Sequence, residues 1–269
     1  MIAELREIWL YRELLWNMTL REFQVRYRQS FLGGVWAVMQ PLSLTIIFMF
    51  ISWIRPLPSD GKPYLLFGYG ALMQWTFFSE SLRLSIPSLV GNSVLVKKIY
   101  FPREVLPLAT VIVSFIDFCI AFVVLIGLLV FYRVTGRYDV PFSVNLLWMP
   151  LILLIQVLLT LGISFFLSAI NVTYRDVKHT VPLLLQLWLF ASPVIYSASA
   201  LKEKSAALYR VYMLINPMAP LITSYRTVLL DGAPPDLAYL GGAAAVSAAL
   251  CVGGYAYFKR VDSLFADIL

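Results

Sequence analysis

The stretch YRELLWNMTLREFQVRYRQSFLGGVWAVMQP, residues 11–41, passes from a charged segment through Gly33-Gly34 into a long apolar run that starts at Val35. Ile8, Tyr11, Leu15 and Met18 recur at helical spacing, and Asn17, Arg21, Gln24 and Arg28 form a polar stripe of the same period. Such a helix lies along a membrane surface, its apolar face among the headgroups and its cations near anionic lipid. The double glycine then turns the chain into a helix that crosses the bilayer. Residues 1–33 are therefore predicted to be a cytoplasmic amphipathic interface helix. It is either a plain solvated helix or the docking surface of a cytoplasmic partner.

Composition agrees with a bilayer setting. The 269 residues are 60% hydrophobic and 13% charged, with a mean hydropathy of +0.80, where a soluble domain carries about 25% charged residues. The chain reads as an all-α polytopic membrane protein. Cys119 and Cys251 both fall in apolar segments and read as small core residues, not as a disulfide framework. The first thirty residues are too charged for the apolar core of a signal peptide, so the N-terminus is expected in the cytoplasm.

A spanning helix needs roughly 20 apolar residues. Six stretches qualify, at approximately 35–54, 64–90, 105–132, 146–170, 181–199 and 237–258. The second carries Glu80, Arg83 and Pro87, the third Asp117, the fifth Pro182 and Pro193, and the sixth is rich in the small residues that allow close helix packing. With the N-terminus inside, twelve of the 21 Lys and Arg residues fall on inner segments, among them Arg21, Arg26, Arg28, Lys97, Lys98, Arg103 and Lys259. That bias puts both termini in the cytoplasm. Residues 200–236 hold two apolar helical stretches, each too short to span, split by Asn216-Pro217 and Pro220. They fit two half-helices that dip in and return, or a hairpin above the membrane. The two halves of the chain do not read as an inverted repeat.

Catalytic chemistry is not legible. The lone His179 sits on an expected inner loop, and no Ser/His/Asp set or metal-ligand cluster is visible, so no catalytic or metal residues are assigned. Gly61-Lys62-Pro63 lacks the upstream glycine and following Ser or Thr of a P-loop, so no nucleotide site is expected in this chain. Glu80 and Arg83, three apart, can pair on one helix face, whereas Asp117 has no partner that the sequence identifies. Ionisable groups at membrane depth cost several kcal/mol each when unpaired. The basic loop 91–104, GNSVLVKKIYFPRE, is either a positive-inside anchor or a short cytoplasmic helix that transmits motion. Trp36, Trp53, Tyr64, Trp75, Phe78, Trp188 and Tyr196 suit interface anchors, and some could line a path for sugars.

Four pieces carry a resemblance: residues 12–42, the NSVLVKKIYFPREVLPL run at 92–108, the NVTYRDVKHTVPLLLQLWLFASPVIYS run at 171–197, and INPMAPLITSYRTVLLDG at 215–232. In order and spacing they resemble the membrane-spanning subunit of ABC-2-type polysaccharide exporters, nearest to the O-antigen (lipopolysaccharide) export branch. The resemblance implies a homodimer with two ABC ATPase subunits that hold ATP and Mg, in the bacterial inner membrane. The cargo it implies is an undecaprenyl-pyrophosphate-linked glycan, with no nucleic acid involved. It implies a transmembrane domain over 34–269, a coupling loop at about 91–104 and a periplasmic re-entrant pair at about 200–232 marked by Asn216, Pro217 and Pro220. On that footing Arg26, Arg28, Lys97 and Lys98 are candidates for the lipid pyrophosphate. Trp36, Trp75, Phe78, Trp188 and Tyr196 are candidates for the glycan path, and Arg21, Tyr100, Phe101 and Arg103 for coupling to the partner. Exporters of teichoic acid or capsule share the architecture, as does the broader group of drug and lipid exporters. A polytopic glycosyl or acyl transferase is the alternative of another class, and the missing acidic or histidine constellation counts against it.

Overall fold

A computed structural model describes residues 9–28 and 33–268, and every regular element among them is helical. Arg6, Ile8 and the link 29–32 between the interface helix and the first apolar run lie outside the described residues. The elements that matter here are α1 (Arg12–Tyr27), α2 (Trp36–Ile54), α3 (Tyr64–Ser85), α4 (Ser93–Lys98), α5 (Val105–Val134), α6 (Met149–Thr173), α7 (Val177–Ala191), α8 (Ala206–Ile215), α9 (Met218–Arg226) and α10 (Leu237–Asp262). Gly33 has φ +50°, and a 3-10 turn over Gly33–Val35 leads into α2. Only glycine takes that backbone cheaply, which is why the entry to α2 begins there.

Among the described residues four helices, Gly33–Ile54, Val105–Val134, Val144–Thr173 and Leu237–Asp262, are long and apolar enough to cross a membrane. The chain is therefore a polytopic membrane protein. At about 1.5 Å per residue, the 30 residues of α5 reach well beyond a bilayer core of about 30 Å.

The two remaining predicted spans differ from these four for physical reasons. α3 is the central helix. Phe67, Tyr69, Leu72, Met73, Phe78 and Leu82 are all almost fully buried. Because neighbouring helices cover it, α3 can carry Gln74, Ser81 and Ser85 inside the bundle. Gln156 of α6 donates to its Gln74 carbonyl at 2.9 Å. α7 has only 15 residues and begins four residues before the predicted start, with Pro182 inside it. The helix ends at Ala191, and residues 192–198 continue as irregular, mostly buried backbone.

That irregular backbone is tied down by Arg226. Its Nη1 donates to the Pro193 carbonyl at 2.5 Å and to Tyr196 at 3.3 Å, and its Nη2 to Val194 at 2.6 Å. Nε and Nη2 both donate to the Phe67 carbonyl at 3.2 Å, and the guanidinium lies 3.4 Å from the centre of the Phe67 ring. Non-helical backbone is tolerated at membrane depth only where protein satisfies it, and a five-donor fork does so here.

The helices gather into two ends. At one, α1 packs against α5, while Phe101, Leu106, Phe165, Val172, Phe258 and Phe265 form a buried cluster. At the other, Lys62 meets Asp231 at 2.7 Å, Tyr64 donates to the Ile195 carbonyl at 2.8 Å and Tyr138 to the Leu230 carbonyl at 2.9 Å. α6 and α10 pack most closely of all. A Cβ on Gly254 would lie 2.1 Å from the Gly162 carbonyl oxygen, so only glycine permits this approach.

Three expectations need correction. The apolar stripe of α1, Tyr11, Leu15 and Met18, packs against the protein's own cluster and not on lipid headgroups, because the end of α5 offers it a dry surface. Trp9, Trp16 and Leu20 form a separate exposed row, and the polar stripe of Asn17, Arg21, Gln24 and Arg28 is exposed as expected. Cys119 is exposed on the outside of the bundle and not in the core, where a thiol behaves as a small apolar group facing hydrocarbon. Pro220 does not split the outer segment. It lies in the first turn of α9, where a missing N–H costs little, and the break falls at Asn216.

Candidate functional site

A cleft of about 430 Å³ opens between α2, α3 and α7. Gln40, Ser79, Glu80, Arg83 and Gln186 supply its polar lining, and Trp75, Leu44 and Leu189 its apolar wall. Amide, hydroxyl and guanidinium groups beside an aromatic edge can bind a hydroxyl-rich or phosphate-bearing ligand by orientation, without reacting with it. The wall behind is an aromatic triad. Trp75, Phe78 and Trp188 stand 5.3–6.1 Å apart between ring centres, with Trp188 edge-on to both partners.

Trp188 links this wall to the outer segment. Its Nε1 donates to Asn216 Oδ1 at 3.0 Å. The amide of Asn216 donates in turn to the Ala191 carbonyl at 3.2 Å and to Ser192 Oγ at 3.0 Å. Its Oδ1 also accepts from the Met218 backbone at 3.2 Å, which starts α9. One buried Asn thus joins the end of α7, the aromatic wall and the break between α8 and α9.

Behind the polar lining lies a charged junction between α1, α2, α3 and α5. Arg26 Nη1 is 2.8 Å from Asp117 Oδ2, and its Nη2 is 3.5 Å from Glu80 Oε2. Tyr27 Oη donates to Asp117 Oδ1 at 2.6 Å. On its other oxygen, Glu80 accepts from Arg83 at 2.9 Å and from Gln40 at 3.5 Å. Two carboxylates are matched by two guanidiniums, which is how ionised groups are kept at this depth. Burial, and then the hydrogen bond to Asp117, push the Tyr27 phenol above its ordinary range, so it stays a donor. Asp117, which had no partner in the sequence, finds two on α1.

The predicted site residues divide accordingly. Trp75, Phe78 and Trp188 come together, whereas Trp36 is exposed at the start of α2 and Tyr196 lies at the opposite end, its hydroxyl donating to the Phe190 carbonyl at 3.3 Å. The four predicted head-group cations differ in setting. Arg26 is held in the junction, while Arg28, Lys97 and Lys98 are exposed. Arg21 donates to Asn92 Oδ1 at 2.6 Å and shares a groove of about 380 Å³ with Lys98 and Ile99. Tyr100 is 89% exposed, but Phe101 is buried, and Arg103 faces Asp262 at 3.4 Å. Beside it, buried Glu104 meets Lys259 at 2.6 Å, so the end of the 91–104 segment is tied to α10. Gln40, Ser79 and Gln186 were not foreseen, because an amide or hydroxyl in an apolar run carries no signal until a second helix faces it. His179 is exposed on α7, and no cluster of metal-ligating side chains occurs among the described residues.

Comparison with known proteins adds an independent finding. The sequence profile of the ABC-2 type transporter family matches residues 13–230. The chain is 32% identical over 268 residues to a protein of Myxococcus xanthus named O-antigen export system permease protein RfbA, covering 99% of each. It is 30% identical to a protein of the same name from Klebsiella pneumoniae, covering 96% of this chain and 95% of the other. A more distant similarity, 24% over 79% of the chain and 80% of the relative, is to the polysialic acid transport protein KpsM of Escherichia coli.

Proposed function

The chain belongs to the ABC-2 type transporter family, and from that premise we propose that it is the permease subunit of an ATP-driven exporter carrying O-antigen polysaccharide across the bacterial inner membrane. The cargo is an undecaprenyl-pyrophosphate-linked glycan. The observation that carries this reading is the full-length similarity to two O-antigen export permeases, with a cleft whose amide and aromatic lining suits sugars. KpsM is less similar over a shorter stretch, so capsule export is the weaker reading.

Two copies of the chain pair with two ATPase subunits, which hold the ATP and Mg. Six spans, α2, α3, α5, α6, α7 and α10, run between the two ends of the bundle. Both termini and residues 91–104 face the cytoplasm, where Arg21, Tyr100 and the free face of α4 meet the ATPases. The grouping of α1, the α4 region and the end of α10 at one end of the bundle supports this orientation. Helices α8 and α9 form the periplasmic re-entrant pair. Arg28, Lys97 and Lys98 meet the lipid pyrophosphate at the inner rim, where exposed cations attract anions within a Debye length. The polymer slides past aromatic and amide groups that each hold it weakly. α9 is almost wholly buried, as a half-helix inside a bundle has to be.

Deleting the gene in its own host tests the function. The expected result is loss of O-antigen from surface lipopolysaccharide, with lipid-linked polymer retained inside the cell and restored to the surface by the cloned gene. An unchanged O-antigen ladder with loss of capsule instead would assign the protein to capsule export.

A further inference from the structure

Resting on the transporter reading, we infer that Glu80 is a positioning residue whose two oxygens connect the interface helix to the substrate cleft, so that the position of α1 sets where the Arg83 guanidinium points. The two oxygens face different partners. Oε2 takes Arg26 of α1, and Oε1 takes Arg83 and Gln40, which both line the cleft. Glu80 is itself mostly buried, with 13% of its side chain exposed, whereas Arg83 is 55% exposed at the mouth of the cleft. Arg26 is therefore enclosed between helices, while Arg83 is anchored through one nitrogen and open to the cleft on its other side.

Charge balance supplies the mechanism. With Arg26 in place, its single charge is shared between Asp117 at 2.8 Å and Glu80 at 3.5 Å, and Arg83 supplies the second positive charge to Glu80. Arg83 keeps one terminal nitrogen on Glu80, and the rest of its exposed guanidinium is available to a phosphate or a sugar hydroxyl in the cleft. Drawing α1 away removes Arg26 from two buried carboxylates at once. A buried carboxylate stripped of its partner recruits whatever cation is within reach. The nearest to Glu80 is Arg83, already 2.9 Å away, and it turns inward, taking its positive charge out of the cleft. A movement of a cytoplasmic helix thereby changes the chemistry of a cleft between α2, α3 and α7 whose lining contains no residue of α1. Tyr27, donating to Asp117 at 2.6 Å, fixes the same turn of α1 and gives the junction a defined seated state.

The test reads the cleft without any polymer. A permease carrying Cys119→Ala, Cys251→Ala and Gln186→Cys is purified with its ATPase partner in nanodiscs. The cysteine is modified with an anionic methanethiosulfonate, with and without Mg-ATP and vanadate. The rate with an anionic reagent depends on the local potential, so a change in Arg83 is expected to alter it by about 3-fold or more on nucleotide trapping. Glu80→Gln is expected to abolish that response in complexes that assemble normally. Arg26→Gln and Asp117→Asn are expected to do the same, and Arg26→Lys, which keeps the charge, to retain it. Normal assembly together with a lost response separates positioning from a role in folding alone. If Glu80→Gln does not assemble, Arg26→Gln and Asp117→Asn decide on the same readout. Variants that assemble and respond to nucleotide like the parent overturn the inference. A parent that does not respond at all overturns the nucleotide-driven reading, and the inference with it.

Discussion

Arg226 holds the irregular backbone that follows α7. It is a nearly fully buried cation with no salt bridge among the described residues, and its partners are the carbonyls of Phe67, Pro193, Val194 and Tyr196. Lysine cannot replace it, because an ammonium is a point charge and cannot reach a fan of acceptors as the planar fork does. Each buried carbonyl left without a donor costs about 1–3 kcal/mol. Arg226→Lys is therefore expected to lower the amount of folded protein in the membrane severely, measured by detergent-extracted fluorescence size exclusion. Asn216→Ala removes the bonds to Trp188, Ala191 and Ser192 together. It is expected to reduce export well before it reduces protein level, since it frees the aromatic wall. Export per assembled permease, compared with Asn216→Asp, checks this.

Helix contacts carry the next set of consequences. α6 and α10 meet through Gly162 and Gly254 with no room for a methyl group. Overpacking of a well-packed interface costs about 1–3 kcal/mol, and backbone atoms cannot step aside as a side chain can. Gly254→Ala is thus expected to lower the melting temperature of the purified permease, and Gly253→Ala, where a Cβ meets open space, to leave it nearly unchanged. Equal shifts for the two would remove the close-packing argument. In the outer segment, Pro220 occupies a first-turn position that alanine also accepts. Pro220→Ala is expected to be mild and Asn216→Ala not, which separates the residue that makes the break from one that merely follows it. The 15-residue α7 is completed by irregular backbone rather than by further turns.

For the whole molecule, sidedness and division of labour can be measured. Single cysteines in a background lacking Cys119 and Cys251 are expected to be labelled by an impermeant reagent from outside at positions 62, 137 and 204, and not at 97 or 175. Labelling at 97 from the periplasm would overturn the six-span arrangement. The chain has no P-loop, so purified permease stripped of its partner is expected to hydrolyse no ATP above background. Hydrolysis that persists through rigorous removal of the ATPase, and is absent from a mock purification, would contradict that division.

Composition and the apolar runs determined that this is a helical membrane protein, because membrane insertion depends on local hydropathy and length, which are properties of the linear chain; the residues at 12–42 and 171–197 carried the resemblance to the ABC-2 type. The Glu80–Arg83 pair was legible for the same reason: residues three apart share a helix face whatever the tertiary structure. The partner of Asp117 was not legible. It lies ninety residues away on α1, and long-range pairing leaves no periodic trace in the sequence. Arg226, Asn216, Gln40 and Gln186 were hidden likewise. A polar side chain acquires a role only when the fold sets specific acceptors or a cleft in front of it, and only the tertiary structure decides which groups those are.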